Sequence, residues 1–509
     1  MEKYLKIYFW QVTSIVLNFV SLFVVTPYLS SSPTIYGIYM VVVSALIFLS
    51  YADLGFLSSG IKFASEAYAR GAREEEMKVI GFAGFVLFVF AALFMAGLLY
   101  VSFAPDTLIN NIATLEERHI ASKLFLVLAM FIPIVAMQRI VQIVFSVRMK
   151  DYQFQKLMIL ANILKIGAAF FFFGNGRYEI IFYFICIQIF NAVAVVAGLV
   201  LMKRTLGYDL PQFFKSVRYS RDLYDKTKQL AFSSIVLTLS WIAYYELDSF
   251  VIGRLMGPGK VAVYAIGLGL TAYFRSLFGV MFSPFTARFN YFIGNKDVDG
   301  FKHFFVQVLV LAFPFTTFPV ITFVMTAKPI VLGWVGHNYL EAVPIVRLLI
   351  ASYVFSFISY PASILIMAIE KNKMVLLTSI LLPLVYWVGI ILFFNKLELE
   401  AFALFKLIAF AVIAVVYAII IVRWLNMPAG TLFFSFLFQG IIVSLIIAAA
   451  LYFLNSRINL PENKVGFFSI LLINGLFCAL GIGLYYLISA KFRASAGLIL
   501  SSLFKRLKK

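Results

Sequence analysis

Apolar runs of 20 residues or more recur along the whole chain, separated by short clusters of charge, Gly, Pro and Asn. A run of that length is long enough to cross the hydrocarbon core of a bilayer as a helix. Reading the runs between charge and turn clusters predicts about fourteen spans, at 5–29, 36–63, 78–103, 120–147, 154–174, 178–202, 229–253, 260–288, 301–327, 340–368, 374–394, 399–424, 432–454 and 464–489. Only Gly174-Asn175-Gly176-Arg177 separates the fifth from the sixth. Two Gly and an Asn in four residues favour a tight turn, so these are read as two spans. The first run, behind Lys3 and Lys6, is longer than a signal-peptide core and has no small-residue cleavage site, so it is read as an uncleaved span. The expected fold class is an all-α polytopic membrane protein.

Composition agrees. Of 509 residues 63% are hydrophobic and 13% charged, and the mean hydropathy is +0.98. A soluble domain keeps about 25% charged residues. In a soluble chain a net charge of +19 would raise nucleic acid as a partner. Here the excess is topological. Placing the N-terminus inside puts roughly 28 of the 42 Lys and Arg in inner segments and about 10 in outer loops. Both termini are therefore expected in the cytoplasm, with the basic inner loops and the tail Lys505-Arg506-Leu507-Lys508-Lys509 facing anionic lipids. No nucleic-acid partner is expected. Cys186 and Cys478 lie far apart, and His119, His303 and His337 are the only histidines. No metal spacing, disulfide framework or cofactor motif can be drawn.

A weak internal repeat divides the chain. Tyr36-Gly37-Ile38-Tyr39 leads to Phe48, Asp53, Lys62 and Gly71, and Val261-Ala262-Val263-Tyr264 leads to Tyr273, Phe278, Arg288 and Gly294. Each opens the second helix of a six-helix set. The expected organisation is an N-terminal lobe at 1–202, a basic cytoplasmic linker at 203–228, a second lobe at 229–425, and an additional helix pair with a basic tail at 426–509.

Arg139, Lys165 and Arg275 lie deep inside predicted spans. A cation in hydrocarbon costs about 3 kcal/mol or more, so each is expected to face water, a counter-charge or an anionic ligand. Arg139 and Gln142, Asn162 and Lys165, and Gln188 and Asn191 are i, i+3 pairs on three successive spans. Together they suggest a hydrated wall suited to sugar hydroxyls and phosphate. Helix–helix hydrogen bonding is the alternative for the amides. The substrate-binding candidates are Arg139, Lys165, Arg275, Gln142, Asn162 and Lys62. Lys62 is also read as a plain topology charge. Lys406 is close enough to Glu400 to snorkel. Asp248, Glu246 and Asp53 are the acids within spans and the candidates for ion coupling, with charge balance for Arg275 or Arg254 as the structural alternative. Tyr244, Tyr245, Tyr264 and Tyr273 are read mainly as packing residues.

Leu230-Ala231-Phe232-Ser233-Ser234, Glu246-Leu247-Asp248-Ser249-Phe250-Val251-Ile252-Gly253 and Val261-Ala262-Val263-Tyr264-Ala265 resemble the seventh and eighth helices of Wzx-like polysaccharide flippases. Pro27-Tyr28-Leu29, Tyr36-Gly37, Asp53-Leu54-Gly55, Lys62 and Glu66 resemble that family's first two helices. The family is a branch of the multidrug/oligosaccharidyl-lipid/polysaccharide exporter superfamily, and the resemblance covers roughly the first twelve helices. It implies a V-shaped transporter of two six-helix lobes around a central cavity in a bacterial inner membrane. Such a protein turns undecaprenyl-pyrophosphate-linked oligosaccharide, such as an O-antigen unit of lipopolysaccharide, to the outer leaflet by alternating access. H⁺ or Na⁺ coupling and contact with polysaccharide polymerases or other biosynthesis enzymes are further implications. Related lipid II flippases carry acidic and basic residues inside the first helix. This chain offers Gln11, Thr13, Ser14 and Asn18 there, which argues against a peptidoglycan precursor as cargo. The competing class is an ion-coupled small-molecule or drug antiporter of the same superfamily. No catalytic constellation appears, so the chain is not expected to be an enzyme.

Overall fold

A computed structural model of the protein describes residues 2–49, 55–426, 428, 430, 437–457 and 461–497. The ordered elements are helical throughout. They are α1 (Glu2–Leu29), α2 (Pro33–Leu49), α3 (Phe56–Ala69), α4 (Arg73–Phe103), α5 (Leu115–Val147), α6 (Asp151–Phe173), α7 (Ile180–Leu206), α8 (Leu210–Ser216), α9 (Arg221–Tyr245) and α10 (Asp248–Met256). There follow α11 (Pro258–Gly294), α12 (Val298–Met325), α13 (Ala327–Val335), α14 (Ala342–Ala351), α15 (Ser356–Ala368), α16 (Asn372–Leu397), α17 (Leu399–Leu425), α18 (Phe438–Arg457) and α19 (Lys464–Ile488). Among the described residues, 12 helical segments are long and apolar enough to cross a membrane. The pair α9–α10, bent by 43°, makes a thirteenth, and the remaining predicted span, 36–63, falls on the shorter apolar helix in α2 and on the separate helix α3. The Gly-Asn-Gly turn separates α6 from α7, with Gly176 at φ 76.

The seventh predicted span is broken, not continuous. α9 stops at Tyr245, and Asp248 begins α10. Asp248 is fully buried; its carboxylate accepts from the backbone N–H of Ser249 at 3.0 Å and from the Tyr264 hydroxyl at 2.9 Å. A buried acid at a helix start gives the chain a reason to interrupt the ladder there, because it takes up a backbone donor freed by the break.

The chain divides into two compact units, Met1–Ala265 and Ile266–Lys509. The division lies beyond the basic linker 203–228, because α9 packs on α3 and α10 on α2. The far end of α10 is fastened to the α4–α5 connection. Asn110 donates from its backbone to the Gly253 carbonyl (3.0 Å) and from its amide to that of Arg254 (2.6 Å). Arg254 returns bonds to the Asp106 carbonyl (2.9 Å) and the Asn110 side-chain oxygen (2.6 Å). At the start of α2, a Cβ on Gly37 would lie 1.8 Å from the Pro258 carbonyl oxygen, so only glycine permits this approach. The linker is itself docked: the Ser216 hydroxyl, at the end of α8, bonds the Met77 carbonyl of α4 at 3.0 Å.

The other end of the first unit closes on one charged pair. Glu76, in the first turn of α4, is 0% exposed. Arg148, between α5 and α6, meets it with two hydrogen bonds, Nε to Oε1 at 3.0 Å and Nη2 to Oε2 at 2.8 Å. The Tyr208 hydroxyl donates to the same carboxylate. Burial raises the Tyr208 phenol well above its usual range, so it remains a donor. The guanidinium lies 4.8 Å from the Tyr68 ring centre and 4.9 Å from that of Tyr208. Burial disfavours the Arg148 charge, but the hydrogen bonds and charge of Glu76 outweigh it and its pKa is raised.

In the second unit α18 and α19 pack on α12 and α13. Gly440 lies against Phe313, and Gly481 against Ile447 and Phe318. Asn474 bonds Thr326 at 2.8 Å, and Asn455 bonds the Met325 carbonyl at 3.0 Å. Polar groups inside a membrane bundle hold helices together in this way.

Removing one partner of the Glu76–Arg148 pair strands a buried charge. Arg148→Met and Glu76→Gln are each expected to destabilise the protein by about 3–5 kcal/mol in detergent unfolding curves. The double variant should recover part of the loss. An Arg148→Met protein as stable as the parent would remove the pair from this structural role.

Candidate functional site

The first unit contains a polar cavity of about 230 Å³ between α1, α5 and α6. α1 contributes Ser14 and Asn18, α5 contributes Gln138, Gln142 and Phe145, and α6 contributes Asp151, Phe154, Gln155, Met158 and Asn162. The helical repeat explains the convergence. Asp151, Gln155, Met158 and Asn162 are spaced four, three and four residues apart, which keeps them on one stripe of α6. The next position of that stripe is Lys165. From Asp151 to Asn162 the stripe rises about 16 Å, so the cavity reaches well into the span. The Asn162 amide donates to the Asn18 side-chain oxygen at 2.9 Å and so ties α6 to α1.

Two of the predicted substrate-binding residues, Gln142 and Asn162, are brought together here. Lys165 is half-buried one turn further along, and among the described residues it makes no ion pair or hydrogen bond. Arg139 is half-buried on α5 beside Gln138 and three residues before Gln142, on the same helical face as the latter. Gln188 of the third predicted pair is 1% exposed, and its amide nitrogen has no hydrogen-bond partner among the described residues. It does not line the cavity.

Arg275 belongs to the second unit, near the middle of α11, where it is half-buried and its carbonyl accepts from the Tyr360 hydroxyl at 3.2 Å. Lys62 is exposed on α3 with its ammonium 5.5 Å from the Phe63 ring centre. Lys406 departs from the snorkelling expectation: it is 5% exposed and lies 5.6 Å from the Tyr386 ring centre. The apolar stem and charge are accommodated by packing inside the unit instead of by reaching an exposed flank.

Of the acids, Asp53 falls outside the described residues. Glu246 is buried at the end of α9. Asp248 is held by Tyr264 and the Ser249 backbone, while the Arg254 guanidinium binds the Asp106 carbonyl and Asn110. Tyr264 is fully buried, so its hydroxyl is spent on Asp248 and its ring on packing.

Sequence reasoning placed Gln138 with Arg139 and Gln142 but missed Asp151 and Gln155 as companions of Gln142 and Asn162. The signal was present as the four-three spacing along α6. The cavity offers amides and a hydroxyl that both donate and accept, with one carboxylate at its α6 start. That set can match the mixed donors and acceptors of a polyhydroxylated ligand. Among the described residues no group of His, Cys, Asp and Glu could hold a metal ion.

No protein-family model matches the sequence, and no curated protein matches it. Solved structures do match in fold. A lipid II flippase MurJ in an inward closed conformation superposes with a TM-score of 0.68 at 17% identity, covering 94% of this chain and 98% of that one. An inward-facing multidrug resistance MATE family transporter of the MOP superfamily gives 0.62 at 16% identity, covering 84% and 98%. A MOP superfamily transporter from Pyrococcus furiosus, described as having a binding pocket of reversed polarity, gives 0.56 at 16% identity, covering 84% and 96%. The chain therefore has the all-helical fold that the lipid II flippase and the MATE transporters of the MOP superfamily share.

Proposed function

We propose that this protein is a flippase that carries a lipid-linked oligosaccharide, joined through pyrophosphate to an undecaprenyl carrier, from the cytoplasmic to the outer leaflet of a bacterial inner membrane by alternating access. The observation that carries this reading is the amide-lined cavity of the first unit, with Arg139 and Lys165 on the helices that form it. Neutral hydrogen-bonding groups suit sugar hydroxyls, and intramembrane cations suit pyrophosphate. Arg275 supplies a third such cation, and a guanidinium forks onto phosphate oxygens.

The fold supports a transporter and accommodates either a lipid-linked or a small-molecule cargo. The cavity argues for the former. At about 230 Å³ it falls below the ~300–1,000 Å³ of a site that encloses a drug-sized molecule, so it fits one portion of a larger ligand. The described part of α1 beyond its first turns contributes Gln11, Thr13, Ser14 and Asn18 and no charge, which supports a glycan other than the peptidoglycan precursor. Asp248, buried and hydrogen-bonded, is the proposed ion-coupling residue, with Glu246 next to the same helix break and Asp53 retained as a candidate from sequence. No enzymatic step is part of the proposal.

Reconstitution in proteoliposomes with pyrophosphate-linked oligosaccharide lipid, read by exposure of the headgroup, tests the cargo. Arg275→Ala should lower the rate by roughly 10- to 100-fold, the worth of one hydrogen-bonded charge. Lys165→Ala and Asn162→Ala should each cost several-fold. Wild-type protein that moves no such lipid under any ion gradient, yet exchanges a small organic cation, would establish the antiporter instead.

Asp248→Asn preserves an oxygen for the Tyr264 hydroxyl while removing the charge. Transport should then lose its dependence on pH or Na⁺. An unchanged ion profile would leave Asp248 as the structural acceptor of Tyr264.

A further inference from the structure

The second unit carries a separate cavity of about 460 Å³ at one end of the bundle, lined by Lys302, His303, Val306, Gln307, Val310, Leu425, Lys491, Ala494 and Ser495. It lies where α12 begins, where α17 ends and where the helical residues 490–497 follow α19. By the parity of the spans these three points share one side of the membrane, the side on which Lys and Arg accumulate. We propose that this cavity holds the phosphate of an anionic phospholipid.

Its chemistry has two parts. Lys302, His303 and Lys491 form a basic rim, and none of the described lining residues is acidic. Asp297, just before α12, is occupied in accepting the Gly300 N–H at 2.9 Å. Asp299 is exposed outside the cavity. The floor is apolar, made by Val306, Val310, Leu425 and Ala494. Inorganic phosphate would leave that floor wet, whereas the glycerol and first acyl carbons of a phospholipid cover it. Basic pockets between spans on the cytoplasmic side are a recurrent site for anionic headgroups.

The walls are fixed before any ligand arrives. Trp424, next to Leu425, packs edge-on against Phe301 and Phe305, with ring centres 4.9 and 5.8 Å away. The segment carrying Lys491 is pinned at its start. Phe492 packs on Tyr485 at 5.0 Å, and Arg493 donates to the Leu487 carbonyl at 2.5 Å. The Ser489 hydroxyl accepts from the Phe492 N–H at 3.4 Å. Gln307 lies 3.0 Å from the His303 ring nitrogen and sets the orientation of that imidazole.

The test is native mass spectrometry and thermal unfolding of the full-length protein, supplied with phosphatidylglycerol or with phosphatidylcholine of the same acyl chains. Wild type should retain phosphatidylglycerol selectively and unfold at a higher temperature with it. Lys302→Gln combined with Lys491→Gln should weaken retention about tenfold or more, as two lost surface cations require. Lys302→Gln alone serves if the pair does not fold, with a several-fold loss expected. The proposal fails if a variant that unfolds in detergent like wild type retains the lipid equally. It also fails if phosphatidylcholine is held as well, or if inorganic phosphate reproduces the stabilisation.

Discussion

The first unit depends on the buried pair of Glu76 and Arg148. Four pieces of chain meet there: the end of α3 through Tyr68, the first turn of α4, the α5–α6 connection, and the segment after α7 through Tyr208. Two charges removed from water repay the loss only when their hydrogen bonds are complete. Here both carboxylate oxygens are engaged, and the guanidinium lies against the Tyr68 and Tyr208 rings. The geometry is demanding, and for that reason it fixes the relative heights of α4, α5, α6 and α7. The amide stripe on α6 begins three residues beyond Arg148. Its register against α5 is therefore inherited from this pair.

Much of the architecture was legible in the sequence because hydropathy is a one-dimensional signal. Twelve predicted spans coincide with helical segments long and apolar enough to cross a membrane and a thirteenth with the bent pair, while 36–63 falls on two helices, α2 and α3. The break at Glu246–Leu247 was not legible, since Glu246 and Asp248 in an apolar run read equally well as functional side chains on a continuous helix. Nor was the choice of Glu76 over Glu74 and Glu75. Three successive acids in a first turn all favour the helix N-terminus, and only the placement of Arg148 selects the one that is buried.

The candidate site divides in the same way. Gln142 and Asn162 were readable as polar positions at helical spacing. Their companions on α1 were visible as residues but not as neighbours, because nothing local specifies that α1 lies against α6. The bond between Asn18 and Asn162 is a tertiary fact. Lys406 shows the converse error: distance along a helix suggested an exposed charge, and packing against Tyr386 buried it. A fold shared with a lipid II flippase and with multidrug transporters cannot by itself assign a cargo, so the polarity of particular cavities has to carry that argument.

The length of α11 has a consequence for the bilayer itself. Its 37 residues rise about 55 Å, against ~30 Å of hydrocarbon. A helix of that length extends beyond the hydrocarbon core unless it tilts, and its mean hydropathy of 1.4 is the lowest of the long spans. Bilayer thickness thus acts directly on this protein: a thinner membrane increases the mismatch on α11, and a thicker one relieves it.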